Sequence, residues 1–266
     1  MTTESWTRTS RPLHRADVDR RYQLWVDTPA RFDPDLGDPN YLDGYPLILC
    51  LDAIWTFGSA VDVARILGLS KEVPRAIVAG VAHDNPDIRE LVQERAMDFT
   101  ITSAEAPRLT GVRAPAELLG GAEAMRQWID AEVLPLLREE YPISEVTFVG
   151  HSFSALFGLH VLFNAPETYD HYLLASPSVW WDDRVMFDIE AQHAADSADL
   201  DAHVFMSKGS LEVDDFSPHK EFHDQLASRG HESLDLHWHE FPGETHSSVV
   251  STAINRGLRV LLGPND

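Results

Sequence analysis

The stretch from Glu145 to Asn164, EVTFVGHSFSALFGLHVLFN, limits the folds open to this chain more than any other. Val146, Phe148 and Val149 form a short apolar run of the kind shown by a strand buried on both faces, and from Ala155 onward apolar residues recur at helical spacing. Between them Gly150-His151-Ser152-Phe153-Ser154 leaves room for one turn from strand into helix. A serine at the apex of such a turn has its hydroxyl lifted clear of the sheet edge, within reach of a base, and the N–H of Phe153 can help bind an oxyanion. The usual form of this turn is GxSxG; here the last position is Ser154, a side chain small enough to be tolerated. Taken alone, the GHS triplet fits a serine capping a helix N-terminus equally well.

The rest of the chain supplies the context. Arg21 to Val26 alternates polar and apolar residues and predicts an edge strand, followed over residues 29–46 by a Pro-, Gly- and Asp-rich connection. Leu47 to Leu51 predicts a central strand ending at Asp52, Val61 to Leu67 a helix, and Ala76 to Val81 another buried strand. Arg89 to Gly120 carries one short helical signal, Leu91 to Met97, in otherwise loop-like composition, long enough to help shape a substrate site. Ala122 to Tyr141 predicts a long helix, kinked or divided at Pro135. After the serine unit come strands at Tyr172 to Ala175, Val204 to Met206 and Leu234 to Phe241, with helices at about Val185 to Ala195, Phe222 to Ala227 and Val249 to Leu262.

Strands alternating with helices predict an α/β fold of three layers, with a mostly parallel central sheet covered by helices on both faces and a site beyond the carboxyl ends of the strands. No linker or repeat interrupts residues 1–266, which read as one domain, with residues 1–20 as an N-terminal arm, either poorly ordered or packed at an edge. The formal charge of −22 and the lack of a Lys/Arg cluster argue against nucleic acid as a partner. The single Cys50 reads as a reduced core residue, and no stretch resembles an export signal or a membrane span, so the expected location is the cytoplasm.

The residues resemble a known group, the α/β-hydrolase esterases of the putative esterase family, which are enterochelin esterase-like and include siderophore trilactone hydrolases. The resemblance runs from Glu132-Val133-Leu134-Pro135 through VTFVGHSFSALFGLHVLF to Leu174-Ala175-Ser176-Pro177-Ser178-Val179-Trp180-Trp181. It returns at Phe241-Pro242-Gly243-Glu244-Thr245-His246 and Arg256-Gly257-Leu258, with weaker echoes at Leu51-Asp52 and Asp98-Phe99-Thr100. The family has glycine where this chain has Ala53 and Ser154, near the oxyanion hole and in the turn itself. The resemblance implies a small-molecule ester substrate, such as a siderophore lactone, and no cofactor.

A serine hydroxyl needs a base, and the hydrolase order of serine, acid, histidine puts that base after the last strand, where His246 stands. The orienting acid should follow the Val204 to Met206 strand. Glu212 comes first after a glycine turn and resembles the family's glutamate, with Asp214 and Asp215 as alternatives, and a serine–histidine dyad as another. Phe153 and either Ala53 or Ile54 would give the oxyanion its backbone donors. Trp180 and Trp181 read as an aromatic substrate wall or as core packing, and Arg95 as a clamp on an anionic substrate group or as a surface ion pair. His219 with His223, and His237 with His239, would each share one face, but neither pair has a third ligand at recognised spacing, so no metal is expected. Two other functions remain open on the sequence: acyl transfer from the same acyl-enzyme, and a catalytically silent binding protein of this fold, suggested by Ala53 and Ser154.

Overall fold

The computed structural model describes residues 7–29, 44–107, 110–213 and 218–264. One sheet of eight strands runs through them in the order β1-β2-β4-β3-β5-β6-β7-β8. The strands are β1 (Thr7–Arg15), β2 (Arg20–Thr28), β3 (Tyr45–Leu51), β4 (Ile77–His83), β5 (Ile143–His151), β6 (His171–Ala175), β7 (Ala202–Gly209) and β8 (Leu234–Phe241). From β4 to β8 all neighbours are parallel, while β1, β2 and β4 pair antiparallel.

Central strands must bury both faces, and β3 shows how. Leu47, Leu49 and Leu51 join one apolar cluster, whereas Ile48 and Cys50 join the other, all at 0% exposure. The second cluster lies under α1 (Ala53–Ser70) and α8 (Val249–Leu262). The first is covered by α2 (Ile88–Phe99), the α3–α4 unit described below, α5 (Phe153–Asn164), α6 (Trp181–Asp196) and α7 (His219–Ala227).

Several expectations need correction. The segment read as an edge strand is β2, an interior strand, because residues 7–15 of the N-terminal arm form β1 outside it. β1 is mostly polar and exposed, and carries Pro12, as an edge permits. Its inner end is tied down at Asp98, fully buried in α2, which accepts from Arg15 Nη1 at 3.1 Å and Tyr22 OH at 2.6 Å. Arg20 also donates to Asp98, and His83 Nε2 lies 2.7 Å from it. α1 begins eight residues before the predicted Val61, immediately after Asp52 in the left-handed region at φ 53°.

Pro135 divides its helix as predicted, and the geometry explains how the rod continues. α3 (Ala122–Trp128) passes through a wide π turn at Ile129–Val133 into α4 (Leu134–Glu140). Leu134 N–H reaches back to Ile129 O, so the register has already widened where Pro135 can donate nothing. In α6, Asp182, Asp183 and Arg184 have left-handed dihedrals, and the regular helix starts at the predicted Val185. Most of residues 29–46 lies outside the described residues.

Candidate active site

β5 ends at His151 and α5 begins at Phe153, leaving Ser152 alone on the turn at φ 59° and ψ −118°. A non-glycine residue in this region is strained and persists only where its surroundings hold it. Several contacts do so here. Ser152 N–H donates to Ala175 O at 3.0 Å, and Ser152 O accepts from Leu156 N–H at 2.9 Å and Ser178 N–H at 3.2 Å. Gly150 is required, since a Cβ there would sit 2.6 Å from Ser154 O. Ser154 is fully buried, and its hydroxyl accepts from His151 N–H and donates to His151 O, both at 2.9 Å.

The loops after β7 and β8 are laced together. Ser210 N–H donates to Phe241 O at 3.0 Å, Leu211 N–H to Glu244 O at 2.9 Å, and Gly243 N–H to Ser210 Oγ at 2.9 Å. This brings Glu212 Oε2 to 2.9 Å from His246 Nδ1. The other carboxylate oxygen, Oε1, accepts from Ser176 Oγ and Gly209 N–H, both at 2.6 Å. Burial alone would raise the Glu212 pKa, but the hydrogen bonds from His246, Ser176 and Gly209 outweigh it and hold the carboxyl down at about 2. The rival acids Asp214 and Asp215 lie outside the described residues.

Ser152, His246 and Glu212 line one cavity of about 560 Å³, together with His151, Phe153 and Trp180. The Ser152 hydroxyl meets Ser178 Oγ at 3.3 Å, and among the described residues no hydrogen bond joins it to His246. Such contacts commonly tighten only when substrate is bound. With Nδ1 engaged by Glu212, Nε2 is the imidazole nitrogen left to exchange a proton. His151 donates from Nε2 to His246 O at 2.7 Å, and the two rings lie 4.6 Å apart. Burial, then the neighbouring His246, pushes His151 down to about 3, so it stays neutral near pH 7.

The remaining predicted residues separate. Trp180 lines the cavity, whereas Trp181 is core: it is 1% exposed and its Nε1–H donates to Thr102 Oγ1 at 2.9 Å. Arg95 lines the cavity but forks onto Asp52, with Nε 3.0 Å from Oδ1 and Nη2 2.6 Å from Oδ2. Asp52 is buried and Arg95 only partly exposed, so the ion pair lies at the cavity wall and not on the open surface, and the anion clamp is left without a bare charge. Ala53 and Ile54 open α1 at the end of β3, in the first turn, where a helix leaves N–H groups without intrahelical partners. Phe153 opens α5 in the same way.

Of the histidine pairs, His219 is buried, pushed down to about 4 mainly by burial, and close enough to Glu212 and His246 to feel both charges. His223 lies 3.1 Å from Asp224, and His237 lies 2.9 Å from Asp235. Among the described residues no group of three or more His, Cys, Asp or Glu side chains is arranged to hold a metal, and no helix is long and apolar enough to cross a membrane. Sequence reasoning missed the supporting roles of His151, Ser176 and Ser178. The signal for the two serines was present in the ASPS block; that for His151 was only its place beside Ser152.

Comparison with known proteins gives the family and the fold. The family described as putative esterase matches residues 19–249. A ferri-bacillibactin esterase of Bacillus subtilis is 27% identical over 96% of this chain and 89% of its own. A siderophore triacetylfusarinine C esterase of Aspergillus fumigatus is also 27% identical, over 80% of each chain. Among solved structures, the BES protein from Bacillus cereus superposes with a TM-score of 0.80 at 26% identity, covering 98% of this chain and 97% of that one.

Proposed function

Because the chain belongs to the putative esterase family and is a carboxylic ester hydrolase, we propose that Ser152, His246 and Glu212 are its catalytic triad and a siderophore lactone or similar small ester its substrate. The observation that carries this reading is the 2.9 Å contact between His246 Nδ1 and Glu212, on the wall of the same cavity that Ser152 enters from its strained turn.

In this mechanism Ser152 Oγ attacks the ester carbonyl carbon while His246 Nε2 takes the hydroxyl proton. Glu212 holds the ring in the required tautomer and stabilises the imidazolium. Phe153 N–H and an N–H from Ala53 or Ile54 receive the oxyanion. Collapse expels the alkoxide, which takes the proton back from His246. The resulting ester of Ser152 is then attacked by water, deprotonated by the same imidazole, and the carboxylic acid leaves with Ser152 restored. No cofactor enters any step. The names of the two curated relatives support an iron-chelator ester as substrate. A cytoplasmic location belongs to the same proposal, supported by a lone, buried, unpaired Cys50.

The test is a panel of short aryl esters, a feruloyl ester and ferric siderophore esters, run on wild type and Ser152→Ala, with fluorophosphonate labelling alongside. Wild type should turn over at least one ester and take up the probe, whereas folded Ser152→Ala should do neither. Full activity in the variant would refute the mechanism.

A further inference from the structure

His219 is a buried imidazole to which the mechanism above gives no task, and it lies beside the acid of the triad. It opens α7, is 1% exposed, and is carried by a helix whose Phe222 and Leu226 are sunk in the core at 0%. A side chain on such an element is held more tightly than one on a loop. Its ring is close enough to Glu212, His246 and Lys208 to feel their charges, and it is hydrogen-bonded to the backbone of Ser176. The Ser176 N–H already donates to Ser207 O at 2.8 Å, so the group that His219 meets is the Ser176 carbonyl, and the ring is the donor. Burial holds His219 down at about 4, against the pull of Glu212, so near pH 7 it is a neutral ring beside an ionised carboxylate.

Ser176 is the piece through which this ring can reach the chemistry. It is 0% exposed and sits at φ 46°, a left-handed conformation that a serine keeps only under constraint. Each of its polar groups is tied down: the N–H to Ser207 on β7, Oγ to Glu212 Oε1 at 2.6 Å, and the carbonyl to α7 through His219. Glu212 Oε1 also accepts from Gly209 N–H at 2.6 Å, leaving Oε2 for His246 Nδ1 at 2.9 Å. The neighbours of Ser176 hold the nucleophile, since Ala175 O accepts from Ser152 N–H at 3.0 Å and Ser178 N–H donates to Ser152 O at 3.2 Å. A twist of the Ser176 peptide therefore disturbs acid and nucleophile together. A protonated ring at 219 would draw the Glu212 charge towards itself, so only a neutral donor leaves that charge to His246.

We infer that His219 is a positioning residue for the hydrolysis, a neutral donor that fixes the Ser176 peptide and, through the Ser176 hydroxyl, the Glu212 carboxylate that steadies His246. The inference rests on the triad reading above and adds a fourth side chain to it. His219 touches no substrate, so it acts on kcat and not on KM.

The test begins with His219→Phe, which keeps a ring of similar bulk and removes its donor. For an aryl ester kcat should fall about tenfold, with KM changed less than about twofold. With the Ser176 hydroxyl less firmly held on Oε1, more of the carboxylate charge falls to His246, so the acid limb of kcat/KM should move up by about half a pH unit. A loss of packing alone would lower the amount of folded enzyme and leave that limb in place. His219→Asn and His219→Gln set an amide N–H where the two ring nitrogens stand, and one of them should recover most of the lost kcat. In a Ser176→Ala background His219→Phe should lower kcat less than about twofold, because the hydroxyl it acts through is gone. Unchanged kcat and an unmoved acid limb in folded His219→Phe would overturn the inference, as would a loss that persists in full without the Ser176 hydroxyl. Wild type gives a readout that needs no variant to fold: 15N NMR should show His219 as a neutral ring from about pH 5.5 to about pH 8, and titration within that range would overturn the inference too. A wild type that cleaves no ester of the panel and takes up no fluorophosphonate sinks the triad reading, and this inference with it; an active wild type with an indifferent His219→Phe sinks this inference alone.

Discussion

Replacing Glu212 by Gln changes the charge of the orienting group while keeping its shape. Glu212 is 8% exposed, and three donors hold its carboxyl at about 2 against an ordinary 4.5, a preference for the ionised form of about 3 kcal/mol. That preference is what the His246 imidazolium uses in the transition state. In Glu212→Gln the amide oxygen can still accept from Ser176 and Gly209, but the amide nitrogen then faces His246 Nδ1 as a donor. The imidazole must answer by carrying its proton on Nε2, the position from which it should accept the proton of Ser152. We expect kcat to fall about a thousandfold to ten-thousandfold, with KM changed less than about threefold. Stability offers a second readout with a fixed sign. A carboxyl depressed in the folded state stabilises the protein above its unfolded pKa, and that stabilisation is lost as the pH falls from 4.5 towards 2. The stability gap between wild type and Glu212→Gln should therefore close over that window in urea titrations. A variant retaining kcat within tenfold of wild type would refute Glu212 as the triad acid. Abolition of turnover by Asp214→Asn in its place would move the role to the next carboxylate.

Three further outcomes follow from the geometry. His151 and His219 are held down to about 3 and 4, so the unfolded chain binds more protons than the folded one below pH 6.5; stability should fall by about 2.5 kcal/mol per pH unit between pH 6 and 5, and a flat profile there would contradict their burial as neutral rings. Trp180→Ala should raise KM for an aryl ester about tenfold with little change in stability, whereas Trp181→Phe should cost about 1–2 kcal/mol by stranding Thr102 and leave KM alone; denaturant melts and steady-state kinetics on both variants check the division. Asp98→Asn should cost about 3–5 kcal/mol, because it removes the charge of a buried carboxylate on which Arg15, Arg20, Tyr22 and His83 converge and leaves Arg15 with only the exposed Asp17 as counter-charge; a loss below about 1 kcal/mol in a urea titration would mean that the cluster does not anchor β1 and β2.

What the sequence disclosed and what it concealed divide along the range of the interactions. The turn at Ser152 was legible because its demands are local: a glycine where a Cβ would strike Ser154 O, an apolar strand before it and helical spacing after it. Helix α8 was legible to the residue, since one strongly apolar stripe on a terminal helix admits few other readings. β1 was not, because an edge strand needs no apolar face, and what fixes it is a contact between Arg15 and Asp98, 83 residues apart. Nor did the adjacent letters Trp180 and Trp181 say which ring would be buried; the contact that holds Trp181 in the core is with Thr102, 79 residues away. The Asp52–Arg95 pair spans 43 positions and leaves no local trace at all.

The two departures from the family's glycines bear on whether the site is competent, and each is met by a specific compensation. At position 154 a side chain would be expected to crowd the turn, yet the Ser154 hydroxyl closes a two-way hydrogen bond with His151 N–H and O, fastening the residue that precedes the nucleophile. At position 53 the added methyl lies against β4, where Gly80 has no side chain: a Cβ on Gly80 would come within 2.8 Å of Ala53 Cβ and 2.7 Å of the Phe57 ring. Gly80, on the strand beside β3, thus leaves the room that the Ala53 methyl and the Phe57 ring occupy. A chain drifting towards a silent scaffold has no physical reason to keep both the strained dihedrals of Ser152 and the contacts that hold them. Ser154→Gly should therefore lose about 1–2 kcal/mol, measured by urea titration, because it removes two buried hydrogen bonds and adds backbone freedom to the unfolded chain. An unchanged or higher stability in that variant would show that the hydroxyl merely fills space.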